Sequence, residues 1–272
     1  MKLKELRYLL GWKPGVKTYG SKRTTFALSK DGEVEYARWM HPSEKEKRVT
    51  QEAVDALRKF LSPGDVAIDI GAHSGDTTLP MALAVGKEGC VLALEPNPYV
   101  FAVLKENAGL NREKTNIVPL MFAATPEDGE MEFQYSDSGF CNGGRFEGMS
   151  QWLHAHAFKL KVQGRNLSSL LKAEYPELVG KIRYIKTDTE GYDAVVLKLL
   201  SEVIAQNKPY LKVEVYAKLE DEERRALYRW IAGHGYTIHR FEDDENYFGE
   251  VLTENDLSKW KHFDIFCEPV EG

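Results

Sequence analysis

Cysteine is scarce in this chain: Cys90, Cys141 and Cys267 are the only three among 272 residues. So sparse and odd a set does not make a disulfide scaffold, and it fits a reducing compartment. No Cys-x-x-Cys pair offers a zinc site. Long apolar runs are also missing. No hydrophobic stretch reaches the roughly 18 residues a membrane span needs. The opening Met1-Lys2-Leu3-Lys4-Glu5-Leu6 lacks the apolar core of a signal peptide. These absences make the expected location cytoplasmic. Positive charge is in deficit, with 36 Lys and Arg against 42 Asp and Glu for a formal net charge of −6. Nucleic acid is therefore not the expected partner, because tight binding needs a basic face. Repeats and low-complexity tracts do not occur. A hydrophobic fraction of 43% excludes disorder and is ample for a buried core.

What is present is an alternation of strand and helix signals. Residues 1–60 read as an N-terminal extension. In it Asp31-Gly32 joins Thr25–Leu28 to Val34–Ala37 as a hairpin, and Ala53, Ala56, Leu57, Phe60 and Leu61 share one helical face. From residue 61 a second unit begins. Short apolar runs at 66–70, 91–94, 117–123, 182–186 and 210–215 suit buried strands. Helical patterns stand between them at 77–85, from 98, at 194–204 and at 220–232. Tyr236–Phe241 and Phe263–Cys267 close the chain as two strands with no helix between. The expected fold is α/β: a doubly wound, mostly parallel, Rossmann-like sheet with an antiparallel edge strand. Residues 125–181 are too many for a plain connection. They read as an insertion between the third and fourth strands, above the strand ends. One alternating strand places Met131, Phe133 and Tyr135 on one face and Glu130, Glu132 and Gln134 on the other. Gly139, Gly143, Gly144, Gly148, His154 and His156 follow it.

Four groups of residues carry chemistry. Asp69-Ile70-Gly71-Ala72-His73-Ser74-Gly75 lies between a strand and a helix. Gly71 permits a tight turn with bare backbone, and Gly75 is expected to start a helix whose free N–H groups favour a polar ligand. His73 stands where the dinucleotide fingerprint has its second glycine, which suits a cofactor without pyrophosphate such as S-adenosylmethionine (SAM). An ordinary strand-to-helix turn would look much the same. Glu95, at the end of the next strand, is placed to bind ribose hydroxyls. Tyr184–Asp193 packs Lys186, Asp188, Glu190 and Asp193 behind a buried strand. A helix start explains Asp193, but it does not explain a lysine inside an apolar strand. Glu214 ends the neighbouring strand. It and Asp188 could share a pocket, position Lys186, or hold a divalent cation through oxygen.

Together these blocks resemble the FkbM family of SAM-dependent methyltransferases. The resemblance rests on DIGAHSG (Asp69–Gly75), EPNP (Glu95–Pro98), LKENAGLN (Leu104–Asn111) and IKTDTEGYD (Ile185–Asp193), and spans about Pro63 to Tyr216. Three positions depart from the family pattern. His73 stands for asparagine, Asp193 stands for glutamate, and Asn166–Leu170 lacks an aspartate after the leucine. The resemblance implies a class I methyltransferase fold acting on hydroxyls of sugars, glycans, lipids or secondary metabolites. It implies that Asp69, Gly71, Ala72, His73, Ser74 and Gly75 cradle the amino-acid half of SAM. Glu95 would bind the ribose with Asn97 nearby, and Ala123 and Ala124 would flank the adenine. Lys186, Asp188, Glu190 and Glu214 would line the acceptor pocket.

SAM supplies an activated methyl group, so the protein's task is alignment and proton removal. Asp188 or Glu190 is the expected base, with Lys186 fixing the carboxylate. His154 and His156, and similarly His41, are rival bases because histidine titrates near neutrality. Trp152 and Phe158 read as packing, and Glu242–Glu245 as a solvated loop. Lys159, Lys161 and Arg165 form a modest basic cluster, too small to imply RNA. An NAD-dependent oxidoreductase is the competing enzyme class, against which the missing glycine counts. A non-catalytic interaction protein on the same fold is the other alternative, against which the ionisable cluster counts.

Overall fold

Apolar residues in the central strands point alternately to two sides, and this parity decides the architecture. The structure is a computed structural model that describes residues 15–270 except 136, 142 and 145–157. Strands β1 (Ser21–Leu28) and β2 (Gly32–Trp39) form the expected hairpin, with Gly32 at φ +72° in its turn. Helix α1 (Gln51–Leu57) follows, capped by the Thr50 hydroxyl, which accepts from Ala53 N. Then come β3 (Val66–Ile70), α2 (Thr78–Val85), β4 (Cys90–Leu94), α3 (Pro98–Gly109) and β5 (Ile117–Leu120). Asn97 caps α3 by accepting from Tyr99 N, with proline at the first helical position.

The insertion contains β6 (Ala123–Ala124), β7 (Gly129–Tyr135), β8 (Gly143–Gly144), β9 (Phe158–Arg165), α4 (Leu167–Glu174) and α5 (Pro176–Val179). The chain ends through β10 (Ile182–Thr187), α6 (Asp193–Leu199), α7 (Ser201–Asn207), β11 (Tyr210–Val215), α8 (Asp221–Gly233), β12 (Tyr236–Arg240) and β13 (Phe263–Pro269).

Seven strands form one sheet in the order β12-β13-β11-β10-β3-β4-β5, parallel except for β13. The doubly wound, Rossmann-like reading therefore holds. Ile68, Leu92, Leu211 and Val213 face a layer containing Leu170 of α4, Val196 of α6, Ile204 of α7 and Leu227 of α8. Ala67, Val91, Tyr184 and Phe266 face the opposite layer, with Val54 of α1, Leu79 of α2 and Leu104 of α3. Both sides of the sheet are covered, which is why its strands read as unbroken apolar runs.

Three expectations need correction. The antiparallel strand lies one place inside the edge. β13 is wholly buried at Ile265, Phe266 and Cys267 and takes the inner position, leaving the more polar β12 outside. The third strand stops at Leu120, and Ala123–Ala124 leaves to pair with β9 in a second sheet of order β6-β9-β7-β8. The helix over 194–204 is broken at Leu200, which caps α6 and opens α7. His154, His156, Trp152 and Gly148 lie outside the described residues. No helix among the described residues is long and apolar enough to cross a membrane.

Candidate active site

The turn after β3 is dictated by its neighbours. Leu94 O accepts from both Gly71 N (3.0 Å) and Ala72 N (2.9 Å), so the chain must bend at once. Gly71 has φ +80°, and a Cβ there would lie 2.0 Å from the Asp188 carbonyl oxygen. Glycine is thus required by the end of β10, before any ligand is considered. His73 also has positive φ, +49°, a conformation asparagine adopts more readily than histidine. Gly75 does not start the helix. Its N–H closes the turn onto Ala72 O at 2.8 Å, and α2 begins three residues later.

Beneath this turn lies a buried ion pair. Lys186 Nζ donates to Asp69 Oδ1 (3.0 Å) and to Gly71 O (3.1 Å), and it stands 3.8 Å from Asp188 Oδ2. The second Asp69 oxygen accepts from the hydroxyls of Thr77 (2.9 Å) and Thr78 (2.6 Å). Burial works against the ammonium, but the Asp69 and Asp188 carboxylates carry its pKa above the ordinary lysine range. This explains a lysine inside an apolar strand.

Ser74 and Asn97 prove to be ties within the protein. Ser74 Oγ bonds the Tyr36 hydroxyl at 2.8 Å, and Asn97 Nδ2 donates to Phe140 O at 2.5 Å.

A cleft opens at the carboxyl ends of β3, β4 and β10, where open α/β sheets bind ligands. Gly71, Glu95, Ala123 and Ala124 line one side, and Asp188, Thr189, Glu190 and Tyr192 another. The second sheet closes over it with Met131, Phe133 and Tyr135, the three residues the alternation placed on one face. The cleft holds about 630 Å³ of space not filled by atoms, counted together with the open solvent at its mouth.

Glu95 accepts from His73 N (3.0 Å) and Asn97 N (2.8 Å), one bond per oxygen. A carboxylate offers about four acceptor positions, so capacity for ribose hydroxyls is left. Burial raises the Glu95 pKa, opposed by His73 and by those backbone donors. Leu94 and Phe122 add apolar wall. A polar acceptor beside bare backbone and hydrocarbon fits a nucleoside cofactor.

Six of the fourteen anticipated residues thus line the cleft: Gly71, Glu95, Ala123, Ala124, Asp188 and Glu190. Asp69, Ala72, His73, Ser74, Gly75, Asn97, Lys186 and Glu214 do not belong to its lining, and several of them hold it from behind. Glu190, at φ +55°, is pushed above the usual glutamate range by burial and by Asp188.

Glu214 is 3% exposed, with Oε1 3.0 Å from His262 Nε2 and Oε2 without a hydrogen-bond partner. Burial, with Asp188, Asp193, Glu190 and Asp264 around it, pushes its pKa up to about 9. Asp188 and Glu214 join no group of three metal-ligating side chains among the described residues. His262 escaped the sequence reading, because nothing around it carries a spacing signal. His41 is buried against Tyr19 and Trp39 with Asp137 3.5 Å away, outside the cleft lining. Glu242–Glu245 is an exposed loop, as expected.

The model of the methyltransferase FkbM domain matches residues 69–252. A fibrillarin-like rRNA/tRNA 2'-O-methyltransferase of Thermococcus onnurineus is 32% identical over 117 residues, 43% of this chain and 47% of that protein. A protein-L-isoaspartate O-methyltransferase of Triticum aestivum is 32% identical over 84 residues, 31% of this chain and 33% of that one. The chain therefore spans less than half the length of these curated relatives. Among solved structures, methyltransferase FkbM from Methylobacillus flagellatus aligns with TM-score 0.46 and 15% identity over 76% of this chain and 44% of that one. Aeropyrum pernix fibrillarin with bound SAM aligns with TM-score 0.44 and 13% identity, over 93% of this chain and 99% of that one.

Proposed function

Since the chain belongs to the FkbM family of SAM-dependent methyltransferases, we propose that it methylates a hydroxyl group on a small-molecule or glycan acceptor. The observation that carries this reading is the sharing of one cleft by Glu95 and Gly71 with the carboxylates Asp188 and Glu190. SAM, when bound, supplies a methyl group already activated as a sulfonium. The chain's own residues then have to align a hydroxyl and remove its proton as it attacks.

Glu190 is the better placed base. Burial and the Asp188 charge raise its basicity, against the pull of His262, Tyr216 and Lys218. Asp188, half exposed, accepts from the acceptor and orients it. Lys186 acts through others, holding the Gly71 carbonyl and standing behind Asp188. Met131, Phe133 and Tyr135 exclude water from the reacting atoms and favour an acceptor with an apolar face.

The fibrillarin-like relatives act on rRNA or tRNA by name. Here the basic residues of β9 are occupied: Lys159 by Glu132 and Lys161 by Glu130, each at 2.6 Å, and Arg165 by Glu174 at 2.7 Å. That pairing and the negative net charge favour a small acceptor over RNA.

The test is methyl transfer from isotope-labelled SAM to a panel of sugars, glycans and hydroxylated metabolites, with transfer RNA and ribosomal RNA as further arms. An alkali-stable methyl ether on a small acceptor is the expected product, and label appearing only in RNA overturns the acceptor class. Glu190→Gln should lower turnover by roughly a hundredfold or more, while calorimetric binding of the demethylated cofactor stays near wild type. A base must be ionised to accept a proton. The rate of the wild type should therefore rise with pH through a value above the ordinary glutamate range, and Glu190→Gln should abolish that rise.

A further inference from the structure

Three segments distant in sequence meet beside the glycine turn. Glu44 lies between β2 and α1, His73 within the turn, and Cys141 after β7. Their ligand atoms (a carboxylate oxygen, a ring nitrogen and the sulfur) all lie within 4.8 Å of one another. His73 Nε2 is 3.9 Å from Glu44 Oε2. The Glu44 side chain is only 6% exposed, and its Oε1 is buried without a hydrogen-bond partner. A buried carboxylate with an unbonded oxygen is costly unless something satisfies it, and its other oxygen, Oε2, is the one nearest His73. The nearest ammonium, Lys47 Nζ, stands 3.7 Å away and bonds Asp76 at 2.7 Å instead. Cys141 is 2% exposed.

We propose that Glu44, His73 and Cys141 form a zinc site that clasps the N-terminal segment and the insertion onto the cofactor turn. A thiolate, an imidazole and a carboxylate are the donor set zinc prefers, whereas magnesium and calcium take oxygen alone. Around a tetrahedral zinc with bonds of about 2.0–2.3 Å, ligand atoms sit roughly 3.3–3.6 Å apart. The cluster must therefore contract by about 1 Å, within the reach of side-chain rotation in Glu44 and Cys141. Three protein ligands leave a fourth position for water. The site also gives a reason for histidine at position 73, where the family resemblance has asparagine: an imidazole can bind the metal and an amide cannot do so well. Phe140, next to Cys141 in the chain, packs edge-on against Tyr135 of the cleft lining with ring centroids 5.5 Å apart, so the clasp would steady the cleft's roof.

Cobalt(II) reports such a site directly. The full-length protein, stripped with a chelator, is titrated with cobalt chloride and then with zinc chloride. One cobalt per chain should bind, with tetrahedral d–d bands and a thiolate-to-cobalt charge-transfer band in the near ultraviolet, and zinc should displace it. Cys90 and Cys267 are buried in β4 and β13 of the main sheet, so the charge-transfer band reads Cys141. Cys141→Ser should remove it, and His73→Asn should weaken cobalt affinity by roughly tenfold or more. A wild type without the band, or an undiminished band in Cys141→Ser, overturns the proposal. If Cys141→Ser does not fold, Glu44→Gln decides. Retention of the band with affinity lowered about tenfold or more supports the site, and unchanged affinity sinks it.

Discussion

Lys186 and Asp69 hold opposite charges in the middle of an apolar sheet, and neither is tolerable there alone. The pair is 3.0 Å apart, with side chains 5% and 0% exposed. Breaking a buried pair from one side strands the other charge at a cost of roughly 3–5 kcal/mol. Lys186→Met should therefore destabilise the fold by about that amount in urea denaturation. The double variant Lys186→Met/Asp69→Asn should recover part of the loss, because no charge is left unpaired. The same substitution releases the Gly71 carbonyl, so binding of the demethylated cofactor should weaken together with stability. A single variant as stable as wild type would mean that the pair does not support the turn. The geometry also gives Lys186 a partner that its local sequence does not reveal. The sequence shows an out-of-place lysine beside acidic residues and suggests a group facing the acceptor, whereas its partner lies 117 positions upstream on the next strand. Only the parallel pairing of β3 with β10, Lys186 opposite Asp69, brings them together.

At the level of elements, the β1–β2 hairpin is bound to the glycine turn by one helix side chain in addition to the Tyr36–Ser74 hydroxyl pair. Asn107 of α3 accepts from Ala37 N (2.6 Å) and donates to Ala37 O (2.8 Å) and Ser74 O (2.7 Å). Three backbone groups on two segments are satisfied by one buried amide. Asn107→Ala leaves them without partners and should cost roughly 2–4 kcal/mol. Hydrogen exchange at the Ala37 amide should quicken, while amides in the middle of β11 keep their protection. Uniform acceleration would mean that the whole fold, and not this junction, has loosened. Asn107 stands in the LKENAGLN block, so its position was legible, but its role was not. Local signals read well where a strand is short, apolar and closed by a turn: β3 and β11 begin and end where the sequence puts them. They fail where a partner from far along the chain decides. The 117–123 run divides because Ala123 and Ala124 pair with Gly164 and Arg165. Likewise β13 moves inside the edge because its residues are the more apolar.

Across the whole molecule, the carboxyl end of the sheet gathers more negative charge than it can solvate, and the consequence is a pH-dependent stability. Glu214 has Asp188, Asp193, Glu190 and Asp264 around it, and its pKa is pushed up to about 9, chiefly by burial. Burial also pushes Asp193 up to about 6, although the Thr187 hydroxyl donates to it at 2.6 Å. A carboxyl whose pKa is higher folded than unfolded holds a proton in the native state that the unfolded chain has released. Between the two values the unfolded state binds fewer protons, so stability falls as pH rises, by at most about 1.4 kcal/mol per pH unit for each group. Below the ordinary carboxylate range both states are protonated, and above the folded pKa both are ionised, so each contribution is confined to its window. Of these two, Asp193 and Glu214 act together up to about pH 6, and Glu214 continues to about pH 9. Glu214→Gln keeps a neutral side chain of the same shape beside His262 and removes the titration. Urea unfolding of wild type and variant near neutral and near alkaline pH should show the two diverging, the variant losing less stability as pH rises. Their lower windows should still share the Asp193 slope. Curves that stay parallel from neutral to alkaline pH would mean that Glu214 is already ionised at neutrality, held so by His262 across 3.0 Å.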